Sequence, residues 1–158
     1  MSPPRREEPK PYRLYVALYN LGSVYHWAFV VQDTNGTFLL DATVGDGHRR
    51  YRKRNWENDL SKRIMSVLCD VMDLGDDSGV ENFLRIAESA PMPDPEDQNF
   101  CQTWAEDVLE KAGGNGYVLR APINRIREIV LQEASSDLDR KFGDPFKVVE
   151  PFNPPSYD

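Results

Sequence analysis

The chain is 158 residues long, 40% apolar, 28% charged and 11% aromatic, which is the size and make-up of one globular domain that needs no disulfide or metal staple. No apolar run approaches the ~20 residues of a membrane helix. Met1-Ser2-Pro3-Pro4-Arg5-Arg6-Glu7-Glu8 has no apolar leader core behind its charges, so the expectation is a cytoplasmic protein without a transmembrane segment. A net charge of -7 argues against wholesale nucleic-acid binding, whose affinity rests on phosphate neutralisation.

Cys69 and Cys101 make at most one bridge, and in a reducing compartment both are expected as free thiols. His26 and His48 complete the soft ligands. With no C-x-x-C or H-x-x-x-H spacing and no glycine-rich phosphate loop, neither a metal nor a cofactor is expected.

In chain order, residues 1–11 read as a disordered Pro-rich tail, 12–150 as a single α+β domain and 151–158 as an extended C-terminal tail. Tyr12 to Tyr19 is rich in aromatic and β-branched residues and predicts a strand. Tyr25 to Gln32 and Thr37 to Thr43 predict two more, joined through Asp33-Thr34-Asn35-Gly36 as a hairpin. Arg49 to Ser61 is polar and basic and reads as a long loop. Ile64 to Met72 fits both helical and strand periods; the alternation of Met65, Val67, Cys69 and Val71 favours a strand.

The pattern then turns helical. Ser78-Gly79-Val80-Glu81 reads as a capping box opening a helix to about Ser89. After the Pro-rich loop Pro91 to Asp97, Asn99 and Gln102 suggest a second box, with Cys101, Trp104, Ala105, Val108 and Ala112 on one face and Gly113-Gly114 at its end. Pro122 at the first helical position starts a third helix, and Val148-Val149 suggests a last edge strand. The expected architecture is an antiparallel sheet of 4-5 strands packed against helices.

Cys101 stands out chemically. In the first turn of a helix, unpaired amide N–H groups and the helix dipole favour an anion and so make thiolate available near neutral pH. A thiolate nucleophile needs a base, and His26, opening a strand where loops converge, is the candidate. The hairpin supplies an orienter. If Gln32 pairs with Thr37, Asp41 lies diagonally from His26 on the same face, within reach of a hydrogen bond. With an Asn35-Gly36 two-residue turn it slides out of reach, and with a three-residue bulged loop it changes face. Tyr25, Gln102 and Trp104 flank the base and the nucleophile and are the candidate substrate-binding residues. Cys69, inside an apolar run, reads as buried filler. Five cations in the six positions Arg49 to Arg54 offer a place for an anionic ligand, with Tyr51 and Trp56 as exposed aromatics beside it.

Tyr25-His26-Trp27-Ala28 on an early strand and Asn99-Phe100-Cys101-Gln102-Thr103-Trp104 opening a helix, after the strand Tyr12-Arg13-Leu14-Tyr15-Val16-Ala17-Leu18, resemble a group of small fungal proteins of uncharacterised function. The resemblance spans about Tyr12 to Ala112. The His-before-Cys order is also similar to the circularly permuted papain-like (NlpC-like) hydrolases, which include lecithin:retinol acyltransferase-like proteins and deubiquitinase-like thiol peptidases. That resemblance implies Cys101 as nucleophile, His26 as general base and a third polar residue from the next strand, which points at Asp41. In the acyltransferase-like members an Asn-Cys pair is adjacent, whereas Phe100 intervenes here. Their third member is often a histidine, which leaves His48 open beside Asp41.

The expectation is therefore a thiol hydrolase or acyltransferase acting on a peptide, amide or acyl-ester bond of a small-molecule, lipid or peptide substrate through a Cys101 thioester. The alternative is a non-catalytic binding or interaction protein on the same scaffold.

Overall fold

The computed structural model describes residues 9–21, 25–45, 48–57, 64–94, 96–135 and 147–149. The aromatic and β-branched run near the N-terminus forms β1, Arg13–Asn20, whose six central residues are all buried. A strand buried on both faces belongs in the interior of a sheet. The strand order is β4-β3-β2-β1-β5-β6, with β1 paired to β2 on one side and β5 on the other.

Strands β2 (Tyr25–Asp33) and β3 (Gly36–Gly45) form the expected hairpin with Gln32 opposite Thr37. The pairing continues to Asp33↔Gly36, leaving Thr34-Asn35 as the turn. Asn35 donates its N–H to Asp33 Oδ1 at 2.7 Å, and Gly36 takes up φ +136°, a backbone angle that side chains resist.

Arg49 to Ser61 is not a loop over its first part. Strand β4, His48–Asn55, pairs antiparallel with β3 from Gly45↔His48 to Phe38↔Asn55. Its polar run is compatible with a strand because β4 is the last in the sheet order and its alternate cations find work on both faces. Tyr51 stacks towards Trp104 at 6.2 Å and Lys53 Nζ lies 4.1 Å above the Phe38 ring, while Arg52 and Arg54 turn to Asp41. Residues 58–61 lie outside the described residues.

Strand β5, Ile64–Asp73, settles the ambiguous run as a strand, antiparallel to β1 with two register shifts. Strand β6, Lys147–Val149, pairs parallel to β5. The sheet is thus mixed and six-stranded, rather than antiparallel with four or five.

Helices α1 (Asp77–Ser89), α2 (Phe100–Gly114) and α3 (Ile123–Ser135) follow β5. Their apolar stripes, including Val80, Phe83, Trp104, Val108, Ile126 and Val130, join Leu14, Val16, Phe29, Leu40 and Val67 in one core. The opposite sheet face carries a second cluster of Tyr15, Tyr19, Val30, Leu39 and Trp56. Trp56, expected on the surface, is fully buried there, and Tyr51 is half-buried.

Three boundaries differ from the sequence reading. Helix α1 is capped by Asp76, whose Oδ1 accepts from the Gly79 N–H at 2.8 Å, and not by Ser78. Pro122 immediately precedes α3 and accepts from Ile126 through its carbonyl. Of the expected N-terminal tail, Pro9 is buried and Lys10 donates its N–H to the Tyr15 hydroxyl at 2.9 Å. Residues 1–8 of that tail, and the C-terminal one, lie outside the described residues. Among the described residues no helix is long and apolar enough to cross a membrane.

Candidate active site

Three elements bring the candidate residues to one place. Alternation along β2 and β3 puts His26 and Asp41 on the sheet face turned away from the helices, whereas Cys101 belongs to a helix on the other face. They meet because the β2–β3 ladder runs only from Asp33↔Gly36 to Phe29↔Leu40. The first turn of α2 approaches the opening beyond that last pair, with Cys101 Sγ 3.9 Å from the Tyr25 carbonyl oxygen.

His26 Nε2 lies 2.8 Å from Asp41 Oδ2, so that nitrogen carries the proton and donates to the carboxylate. The diagonal pairing that the Gln32–Thr37 register requires is therefore present. With Nε2 occupied, Nδ1 is the nitrogen left to interact with Cys101, and the imidazole and the thiol shift each other's titration. His26 is 9% exposed and Asp41 wholly buried.

Asp41 has further partners. Arg52, directly opposite it across the β3–β4 ladder, donates Nε–H to Oδ1 at 3.1 Å and an Nη2 proton to Oδ2 at 3.0 Å. Arg54 adds an Nη2 bond to Oδ2 at 3.1 Å.

Each titration shift follows from these contacts. Burial works against ionised Asp41, but the bonds from His26 and Arg52 outweigh it and hold the carboxyl well below the ordinary carboxylate range. Burial also disfavours charged His26, yet the bonds to Asp41 and Cys101 leave its pKa raised above 6.5. Burial would push the Cys101 thiol up; the bond with His26 and the backbone N–H groups of Trp27 and Gln102 bring it below 9.0. All three groups are thus displaced towards their charged forms.

A cavity of about 590 Å³ opens over this group, lined by Tyr25, His26, Cys101, Arg52, Gln98 and Phe100 among others. Tyr25 is half-buried in its wall. Gln102 also lines the cavity, but its side-chain amide donates to Glu106 Oε2 at 3.0 Å, leaving its backbone N–H to face the sulfur. Trp104 does not line the cavity. It is fully buried, 5.5 Å from the Phe29 ring, one helical turn past the residue that does face the opening.

Asn99 holds the N-cap position of α2 without a side-chain cap bond. Asp97 organises that entry instead, accepting from Asn99 N–H at 2.8 Å and Thr103 Oγ1 at 2.7 Å. His48 pairs through its backbone with Gly45 at the start of β4, and its side chain lies outside the described residues. Cys69 is buried, and both cysteines are free thiols. Among the described residues no three His, Cys, Asp or Glu side chains are grouped to hold a metal ion.

The sequence alone does not single out Arg52 and Arg54 as partners of Asp41. The usable signal was the alternation Arg50, Arg52, Arg54, which places three cations on one face once the segment is read as a strand. Set against protein-family models, curated proteins and solved structures, the chain finds no match in any of the three.

Proposed function

We propose that the protein is a thiol hydrolase or acyltransferase that works through a covalent Cys101 thioester, on a scaffold of the permuted papain-like kind. The observation that supports this is the convergence of Cys101 and His26 on one cavity, with Asp41 bonded to His26 behind its wall and the thiol displaced towards thiolate. Such an order of nucleophile, base and orienter is what acyl transfer through a covalent intermediate requires.

In the first half-reaction the Cys101 proton passes to His26 Nδ1 and Sγ attacks the acyl carbonyl carbon. The tetrahedral intermediate collapses by breaking the bond to the alcohol or amine, which leaves with the proton held by His26. In the second half-reaction His26 removes a proton from water or another acceptor, which attacks the thioester carbonyl. The new carbon–oxygen or carbon–nitrogen bond replaces the carbon–sulfur bond, and Cys101 recovers its proton. Asp41 holds the imidazole in the tautomer that leaves Nδ1 facing the sulfur, and steadies the imidazolium while it exists. The cytoplasm, where thiols stay reduced, suits this chemistry.

The test is the pH–rate profile of iodoacetamide alkylation, assigned to Cys69 or Cys101 by mass spectrometry. Cys101 is expected to be alkylated selectively with a midpoint below that of a free thiol, and His26→Ala is expected to slow alkylation at pH 6.5 by about tenfold. An acyl-ester screen should then give turnover that Cys101→Ser abolishes. Cys101 reactivity that is ordinary and indifferent to His26 refutes the proposal.

A further inference from the structure

We propose that the cavity selects acyl substrates that carry a carboxylate close to the scissile carbonyl, received by the outer edge of the Arg52 guanidinium. The inference rests on the thiol-enzyme reading of the same cavity and names the class of substrate that this reading leaves open.

The β4 cations differ in whether they reach the cavity. Lys53 is placed over the Phe38 ring, on the helix-bearing face. Arg52 and Arg54 both bond Asp41, and of these two only Arg52 also lines the cavity. Its side chain is 33% exposed. Among the described lining residues Arg52 is the one with a permanent charge, and no aspartate or glutamate lines the wall with it.

The guanidinium of Arg52 has a second edge turned away from Asp41. The group has five N–H donors in one plane. Asp41 takes the Nε–H and one Nη2 proton from one edge. The remaining Nη1–Nη2 edge presents two parallel donors, the fork that matches a carboxylate. Arg52 is already held by its bidentate bond to Asp41, so a ligand need not order a freely rotating side chain. The carboxylate behind it does not cancel this preference, because its single charge is divided among Arg52, Arg54 and His26.

Long-range charge does not decide the matter. The chain carries -7 overall, but at physiological salt the screening length is about 8 Å. A ligand inside the cavity therefore responds chiefly to the nearest charge. A substrate with an ammonium in the same place meets repulsion.

The test compares iodoacetate with iodoacetamide on the full chain, with rate constants for Cys101 read by mass spectrometry and glutathione as reference thiol. In each reaction the thiolate displaces iodide, so the ratio of the two rates cancels any change in thiolate fraction and isolates the effect of the reagent's carboxylate. The iodoacetate-to-iodoacetamide ratio at Cys101 is expected to exceed that of glutathione by about tenfold, the scale of one charge-assisted contact. Arg52→Gln should return the ratio to the glutathione value, and Arg52→Lys should retain part of the preference. In the unmodified protein, succinate should slow iodoacetamide alkylation of Cys101 where neutral succinamide does not; this reading stands even if Arg52→Gln fails to fold. A ratio equal to that of glutathione, with Cys101 still selectively reactive, overturns the carboxylate proposal and leaves the thiol-enzyme reading intact. A high ratio unchanged in Arg52→Gln assigns the attraction to His26 and overturns the role of Arg52. Failure of both reagents to modify Cys101 faster than Cys69 overturns both proposals together.

Discussion

Asp41 shares one negative charge among three donor side chains, and its pH behaviour shows what that arrangement contributes to stability. Its carboxyl ionises at lower pH in the folded chain than the ordinary ~3.9 of an unfolded one. The folded state thus binds the proton less tightly, so this stabilisation is fully present above the unfolded value and is lost as pH falls towards the folded one. His26 has the opposite sense. Its raised pKa stabilises the fold below 6.5, and the contribution disappears as pH rises through the folded value. Asp41→Asn is expected to flatten the acid limb of the stability curve below about pH 5 and to cost about 3 kcal/mol at neutral pH, because the buried partner of two arginines is removed. Urea unfolding across pH checks both parts. Much of this residue-scale picture is legible in the chain itself. A Gln32–Thr37 pairing dictates that Asp41 stands diagonal to His26. Arg52 is not legible in the same way, since its role depends on β4 being a strand, and five cations in six positions read as part of a long basic loop.

Where elements join, the junction before α1 is tight. The chain leaves β5 at Asp73, turns through Gly75 at φ +88° and enters α1 under the Asp76 cap. A Cβ on Gly79 would lie 1.7 Å from the Leu74 carbonyl oxygen. Alanine for glycine inside a helix ordinarily stabilises by up to about 1 kcal/mol. Here the backbone clash reverses the sign, and Gly79→Ala should destabilise by about 3 kcal/mol, read as a lowered melting temperature. Trp104 presents the complementary case. Packed against Phe29 and Tyr51, it should cost about 3–5 kcal/mol when replaced by alanine. Its Nε1 has no hydrogen-bond partner among the described residues, so Trp104→Phe gives up no such bond. That variant should fold and keep the Cys101 alkylation rate within about twofold; a larger change would mean that the ring serves the cavity after all. Cys101 and Trp104 share a helical face by spacing, and spacing alone does not distinguish a first turn at an opening from a second turn in the core. The hairpin, the strand nature of β5 and the three helices, by contrast, follow from local pattern, because their turns and apolar periods agree with the packing they reach.

Taken whole, the molecule is a mixed sheet with helices on one face and a second apolar cluster on the other. The α+β class is legible in the order of the patterns. The parallel pairing of β6 with β5 is not, because it joins positions distant in sequence and carries no local turn signal. Nor is the depth of Trp56, whose polar neighbours in sequence suggest water. The division of the site between layers has a consequence for the chain before it is finished. The imidazole and its carboxylate are held by two strands of one hairpin, and the sulfur arrives on a helix made later. During synthesis the histidine is made before there is a cysteine to stand beside it. An incomplete chain, or one whose helix has lifted from the sheet, exposes only an ordinary thiol that stays mostly protonated at neutral pH. On the proposed thiol chemistry, the reactive form is confined to the docked molecule, which would spare the nascent chain from oxidation and stray acylation.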